Sequence, residues 1–253
     1  MIIPENINLE YKSKMCRKCG SCDREKCEAE AFVKIENGKL ISGTIDKEGM
    51  SGKLLREIVE TNPPERVRDF LDQSTKLALH AIMLKGYSIG VSDYELSPDA
   101  IKKAALLLTN AEKKVDELIA EYRRGRLERT PGKTSEETLE DLIMTVLTEA
   151  RNEAGRIAEH DLGKDNPAVL MGKAGIRGSM INVTQMTACL GQTSMRGKRI
   201  LRGYRNKTIP YFKEGDISAK ARGYIRDSYI EGLTPTEYYF HSMSGRDSLV
   251  DKG

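Results

Sequence analysis

The sequence predicts an α+β protein, mostly α. It combines a β-hairpin and short strands with a long projecting antiparallel helical hairpin and a loop-rich segment. Three observations carry this. Asn37-Gly38 stands between two β-rich runs. Apolar residues recur every three or four positions over 101–122 and again over 139–157, on either side of Pro131-Gly132. Residues 161–232 are dense in Gly, Asn, Gln, Thr, Ser and Arg. The expected organisation is 1–30 cysteine-rich element, 31–96 hairpin plus helices, 97–160 helical hairpin, 161–232 loop-rich segment and 233–253 a final helix.

The elements follow in order. Ala31–Glu36 and Lys39–Ile45 flank Asn-Gly, whose two turn positions need positive φ, so 31–46 reads as a β-hairpin. Ser51 is placed to cap a short helix burying Leu54, Leu55, Ile58 and Val59, which Pro63-Pro64 ends. A second helix spans 64–85, with Val67, Phe70, Leu71, Leu77, Ala78, Ala81 and Ile82 on its apolar stripe. Gly86 suits its C-terminal cap. Tyr87–Val91 reads as a short strand.

Ser97-Pro98 opens the first long helix, with Ile101, Ala104, Leu108, Ala111, Val115, Leu118 and Tyr122 inward and Gly125 at its end. Thr134-Ser135-Glu136-Glu137 is a capping box for the second, which carries Leu139, Leu142, Val146, Ala150 and Ile157. Each is about 27 residues, roughly 40 Å at about 1.5 Å per residue. The short polar linker makes them antiparallel, and the mostly charged surface predicts that they project. Ile181–Leu190 reads as a short helix. Thr234-Pro235-Thr236-Glu237 is a second capping box, opening a helix that runs to the last residue. A helix so capped and then cut short is expected of a piece of something longer.

Composition narrows the function. No run of about 18 apolar residues exists to cross a bilayer. Forty-one basic against 38 acidic residues leave a net charge of +3, too little for nucleic-acid binding by bulk charge. Aromatic residues make up 6% with no Trp, which argues against a platform for stacking bases. Four of five cysteines lie within 16–27, and no apolar leader opens the chain; this argues against a secreted disulfide framework, and the cytoplasm is the expected compartment.

Those four cysteines read C-x2-C-x2-C-x4-C at Cys16, Cys19, Cys22 and Cys27. Soft thiolates at this spacing suit Zn²⁺, ahead of an iron–sulfur cluster; free or disulfide-bonded thiols are the remaining alternative. Cys189 reads as a small buried residue. His80 reads as structural, near the apolar face of its helix, and His160 sits near a helix C-terminus, where a cation is favoured. His241 alone has functional company, Arg246 and Asp247. Basic residues at 177, 196, 198, 199, 202 and 205 interleave with Asn182, Gln185, Gln192 and glycines. Such donors fit phosphate and ribose contacts, or form a solvated loop. No catalytic triad order, phosphate-binding loop, dinucleotide fingerprint or Asp-rich Mg²⁺ motif is present, so the residues alone contain no complete active site.

Read in order, these segments also carry a resemblance. Gly175-Ile-Arg-Gly-Ser179, Asn182-Val-Thr-Gln-Met186, Leu190-Gly-Gln192 and Arg196-Gly-Lys-Arg-Ile200 are followed by Thr208-Ile-Pro-Tyr-Phe212 and Ala221-Arg-Gly-Tyr224. Gly232-Leu-Thr-Pro-Thr-Glu-Tyr-Tyr-Phe-His241 closes the set, and Asn37–Lys47 and Gly86–Gly90 match upstream. The chain closely resembles the largest subunit of multisubunit DNA-directed RNA polymerase, a nucleotidyltransferase, in its archaeal form, over nearly its whole length. Asp251-Lys252-Gly253 departs from the Asp-Thr-Ala of many relatives.

The resemblance implies the pore and funnel region. The hairpin at 97–160 would be the funnel helices, rimming the secondary channel where nucleoside triphosphates enter and transcript-cleavage factors dock. Residues 233–253 would begin the bridge helix. Arg177, Gln185, Gln192, His241 and Asp247 would lie near the nucleotide path. Partners would be other polymerase subunits, DNA template and RNA. The family's catalytic Mg²⁺ motif lies upstream and its trigger loop downstream, so the chain alone would be inactive. A four-cysteine cluster resembles a feature of archaeal members.

Overall fold

A computed structural model describes residues 2–13, 27, 30–163, 165–174, 178–201 and 206–252, without the side chains of 174 and 252. It is mainly helical, with two small antiparallel sheets. The chain divides into two compact units, Met1–Asp93 with Lys164–Ser179, and Tyr94–Gly163 with Met180–Gly253.

In the first unit, β1 (Leu9–Lys12), β2 (Phe32–Glu36) and β3 (Lys39–Ser42) form an antiparallel sheet with β2 central. Strand β1 went unread in the sequence, because four residues are too few to show an alternation. Asn37 and Gly38 turn β2 into β3 with φ of 48° and 70°. The turn also packs closely: a Cβ on Gly38 would meet the Pro4 carbonyl oxygen at 2.6 Å. Val33 and Ile35 of β2 enter a core with Ile7, Tyr11, Leu54, Ile58 and Phe70.

A π-helical turn, Gly49–Leu54, leads into α1 (Leu55–Thr61). Ser51 does not cap a helix there: its hydroxyl donates to the Lys47 carbonyl at 2.7 Å, within the turn. Helix α2 (Pro64–Lys85) has the predicted bounds and ends at Gly86, φ 69°. Its predicted stripe is buried only at Phe70; Leu77 and Ile82 are 57% and 58% exposed, and His80 is exposed too. Apolar periodicity marks a face, but within this unit the covering elements end near Phe70. The strand expected at 87–91 is absent. Gly90 N–H donates to Asp93 Oδ2 at 2.7 Å, bending the chain into a 3₁₀ turn, Val91–Tyr94, instead of offering an edge. Helix α5 (Pro167–Ala174) belongs to the same unit; Asn166 beside it donates to the Asp93 carbonyl at 2.7 Å.

In the second unit, α3 (Pro98–Arg123) and α4 (Ser135–Leu162) lie antiparallel. Both predicted caps form: Ala100 N–H donates to Ser97 Oγ, and Thr134 and Glu137 exchange the two bonds of a capping box. At the open end Asp161 accepts from both the backbone and the hydroxyl of Ser97, which holds its carboxyl below the usual range. Helix α3 buries Ala100, Ala104, Leu108, Ala111, Val115 and Ile119. Helix α4 buries Leu139, Ile143, Leu147, Ala150, Ala154 and Ala158. Both follow the same four-four-three spacing, the seam of two interdigitating helices. The predicted α4 stripe was off by one row: Leu142 is 38% exposed and Ile143 is buried. The reason is that α4 serves two neighbours, α3 and the short α6 (Met180–Thr187).

Candidate functional site

The described candidates for the nucleotide path, Gln185, Gln192, His241 and Asp247, all fall in the second unit, on α6, on β4 (Gly191–Gln192) and on α7 (Pro235–Lys252). After α6 the chain dives into the core through Ala188, Cys189 and Leu190. Burial pushes the Cys189 thiol up to about 12, as a structural cysteine requires. Strand β4 then pairs antiparallel with β5 (Tyr224–Ile225), Gln192 opposite Tyr224.

Gln192 donates both amide hydrogens to backbone carbonyls, of Thr193 and Arg222, each at 2.8 Å. Its Oε1 is buried and accepts nothing among the described residues. Gln185 and His241 meet through Tyr229. The Tyr229 N–H donates to the Gln185 carbonyl at 3.2 Å, and its hydroxyl lies 2.9 Å from His241 Nε2. Asp247 sits on the C-terminal half of α7, facing Arg196. Arg196 bonds both carboxylate oxygens of Asp251, at 3.0 and 3.2 Å, and Ser244 donates to the Ser194 carbonyl. The C-terminal half of α7 is thus tied to the loop after β4. Gln185 and His241 share one corner, and Asp247 and Arg196 another. Arg177 lies outside the described residues, as do residues 202 and 205.

The basic stretch is corrected at Arg199, neither a phosphate donor nor a solvated residue. Its side chain is wholly buried. Nη2 donates to the carbonyls of Ile217 and Ser218 at 2.9 Å each, and Nη1 lies 3.5 Å from Glu140 Oε1. Burial lowers its pKa to about 10, against the pull of Glu140. Arg199 therefore fastens the loop before β5 to α4.

Arg226, which the sequence did not flag, and Glu237, which it read only as a helix cap, organise this region. Arg226 donates its backbone N–H to Glu237 Oε1 at 3.0 Å and turns its guanidinium onto α3, to Glu112, Thr109 and the Ala105 carbonyl. Glu237 closes the predicted capping box with Thr234, accepting from its N–H at 3.0 Å and its hydroxyl at 2.6 Å. The capping motif could have revealed Glu237's bond to the Arg226 backbone only if the fold were known; Arg226 carries no signal. A cleft of about 550 Å³ lies over the start of α7, lined by Tyr211, Phe212, Lys220, Arg226 and Phe240 among others.

Of the cysteine cluster, only Cys27 is described, half-buried; Cys16, Cys19 and Cys22 lie outside. No helix among the described residues is long and apolar enough to cross a membrane.

Comparison with known proteins gives this arrangement its context. The sequence profile of RNA polymerase Rpb1, domain 3, matches residues 1–94, and that of Rpb1, domain 4, matches 119–225. The chain is 50% identical over 99% of its length to DNA-directed RNA polymerase subunit Rpo1N of Methanocaldococcus jannaschii, covering 19% of that protein. It is 48% identical to the Rpo1N of Methanothermobacter thermautotrophicus strain Delta H, covering 29%, and 46% identical to that of Thermococcus celer, covering 30%. In both cases 99% of this chain is aligned. The chain belongs to the family of RNA polymerase largest subunits, over the part that carries Rpb1 domains 3 and 4. It spans less than a third of the length of these relatives.

Proposed function

We propose that the chain is the pore and funnel segment of a cytoplasmic multisubunit DNA-directed RNA polymerase. In this reading 31–96 and 161–232 build the pore, 97–160 is the funnel hairpin and 233–253 begins the bridge helix. Nucleoside triphosphates pass beside Arg177, Gln185, Gln192, His241 and Asp247, and a transcript-cleavage factor docks at the α3–α4 rim. Other subunits, DNA template and RNA complete the assembly. The observation that carries the reading is the continuous likeness to Rpo1N over 99% of the chain, with a capped α7 tied to the glycine- and amide-rich loop. A stand-alone zinc or iron–sulfur protein gains no support from that likeness.

Residues 1–30 form, in this proposal, a Zn²⁺-binding element. Four cysteines within 16–27 match the donor softness and number of a closed structural site. When bound, the ion would cross-link the four thiolates and leave no open position for chemistry. The polymerase's Mg²⁺ ions lie outside this chain.

A reconstituted archaeal polymerase tests the assignment. Shortening the linker between α3 and α4 should spare elongation and remove factor-stimulated transcript cleavage. Unchanged cleavage would overturn the funnel assignment. The isolated chain should make no RNA; template-dependent synthesis by it would overturn the pore reading.

A further inference from the structure

Two carboxyl groups meet where α7 begins. Glu237 takes hydrogen bonds from the N–H groups of Arg226 and Thr234 and from the Thr234 hydroxyl, with the Asp227 N–H at 3.5 Å. The Asp227 side chain also reaches Glu237 within hydrogen-bonding range. Two ionised carboxylates in such contact repel. One proton between them turns repulsion into a short, charge-assisted bond. The donor count decides who carries it: Glu237 is ringed by N–H and O–H donors and is the better anion. We propose that Asp227 and Glu237 share one proton, carried by Asp227 and donated to Glu237, and that this bond makes the anchorage of the first turn of α7 sensitive to pH.

The surroundings favour that assignment. Burial, then Glu237, then Glu231 raise the Asp227 carboxyl above its ordinary value, and only Arg226 opposes them. Burial would raise Glu237 too, but its bonds from Thr234 and Arg226 prevail and hold it below the ordinary range. Arg226 does not neutralise the pair, because its guanidinium is engaged with Glu112 and Thr109 of α3. Lys220 and Tyr224 line the same cleft. As pH rises through the titration of Asp227 the pair becomes doubly ionised and the turn loosens; below it the bond is intact. The inference concerns the chain itself and does not depend on the polymerase reading.

Carboxyl ¹³C NMR titration of the 253-residue chain tests it, with Asp227→Asn and Glu237→Gln for assignment. Asp227 should titrate above about 3.9 and Glu237 below about 4.3. Asp227 should fall back towards its ordinary value in Glu237→Gln. The Tyr238 amide, which donates to the Thr234 carbonyl at 2.9 Å, reports the first turn by hydrogen exchange. Asp227→Ala should cut its protection about tenfold, the loss of one charge-assisted bond, while Asp227→Asn, which supplies an N–H donor, stays within about twofold and loses the pH dependence. An ordinary or depressed Asp227 titration in the wild-type chain overturns the proposal, and so does equal loss of protection in the Asn and Ala variants.

Discussion

Gly155 of α4 faces Thr184 of α6 so closely that a Cβ on residue 155 would sit 2.3 Å from the threonine Oγ1 and 3.3 Å from its Cβ. Thr184 cannot swing aside: it is β-branched, buried, and bonded through its hydroxyl to the Met180 carbonyl at 2.8 Å. Gly155→Ala should therefore destabilise the second unit by about 1–3 kcal/mol, although alanine is the better helix former. Pairing it with Thr184→Ala should recover most of the loss in a double-mutant cycle. Additive losses would show that the two helices do not meet at these residues.

Arg199 makes a sharper test of packing. Arg199→Ala would leave Glu140 and the carbonyls of Ile217 and Ser218 without their buried donor. Breaking a buried pair from one side costs about 3–5 kcal/mol. Denaturant unfolding of Arg199→Met with Glu140→Leu should regain part of this, since no uncompensated carboxylate remains. An Arg199→Ala chain of wild-type stability would contradict the buried anchorage.

How far the sequence could be read follows from these contacts. Helix bounds were legible where punctuation is local: Ser97-Pro98, Thr134–Glu137, Thr234–Glu237 and Gly86 act within one turn of themselves. Burial was less so. The α4 stripe shifted from Leu142 to Ile143 because α6 covers a second face, and the far half of α2 looked like core although, among the described residues of its unit, Leu77 and Ile82 stay exposed. The candidate site was half legible. Gln192 and His241 were found through a motif, whereas Arg226 and Arg199 owe their roles to carbonyls and carboxylates far along the chain. Local spacing holds no record of such partners.

Alkaline pH should weaken the fold. Burial raises the Cys189 thiol from 9.0 to about 12, and burial with Asp46 raises the Tyr11 phenol from 10.0 to about 12. The folded state holds both protons more tightly than the unfolded chain, so their contribution is whole below pH 9.0 and declines as pH climbs towards about 12. Arg199, depressed to about 10, acts in the opposite sense, and only above that pH. The melting temperature should hold up to about pH 9 and drop above it. In the native chain at pH near 8, a thiol reagent followed by peptide mapping should leave Cys189 unmodified. Rapid native labelling of Cys189 would refute its burial.

Metal content tests the cysteine element. Protein purified under reducing conditions should carry close to one Zn²⁺ per chain, and chelation should release it with uptake of protons by the freed thiolates. Less than about 0.2 zinc per chain would count against the site. Iron in its place, with a brown colour and absorbance near about 400 nm, would reassign it to a cluster.

Gln192 separates a nucleotide-path role from simple bracing. Its amide N–H groups hold the carbonyls of Thr193 and Arg222, and its Oε1, without a partner among the described residues, is the one polar atom of the side chain left to accept a donor from elsewhere. Bracing alone predicts that Gln192→Ala, by leaving two carbonyls unsatisfied, lowers stability by about 1–3 kcal/mol and with it the melting temperature. Gln192→Glu keeps the side-chain length but replaces the donors with a second acceptor, and should destabilise more. A role in nucleotide passage predicts something bracing cannot: slower nucleotide addition by the reconstituted polymerase at an unchanged melting temperature. Arg177→Ala, at the other residue proposed for the nucleotide path, should then slow addition in the same way. If Gln192→Ala leaves both elongation and melting temperature untouched, neither role stands. If it lowers only the melting temperature, Gln192 is a brace between β4 and the turn before β5, and the path runs elsewhere.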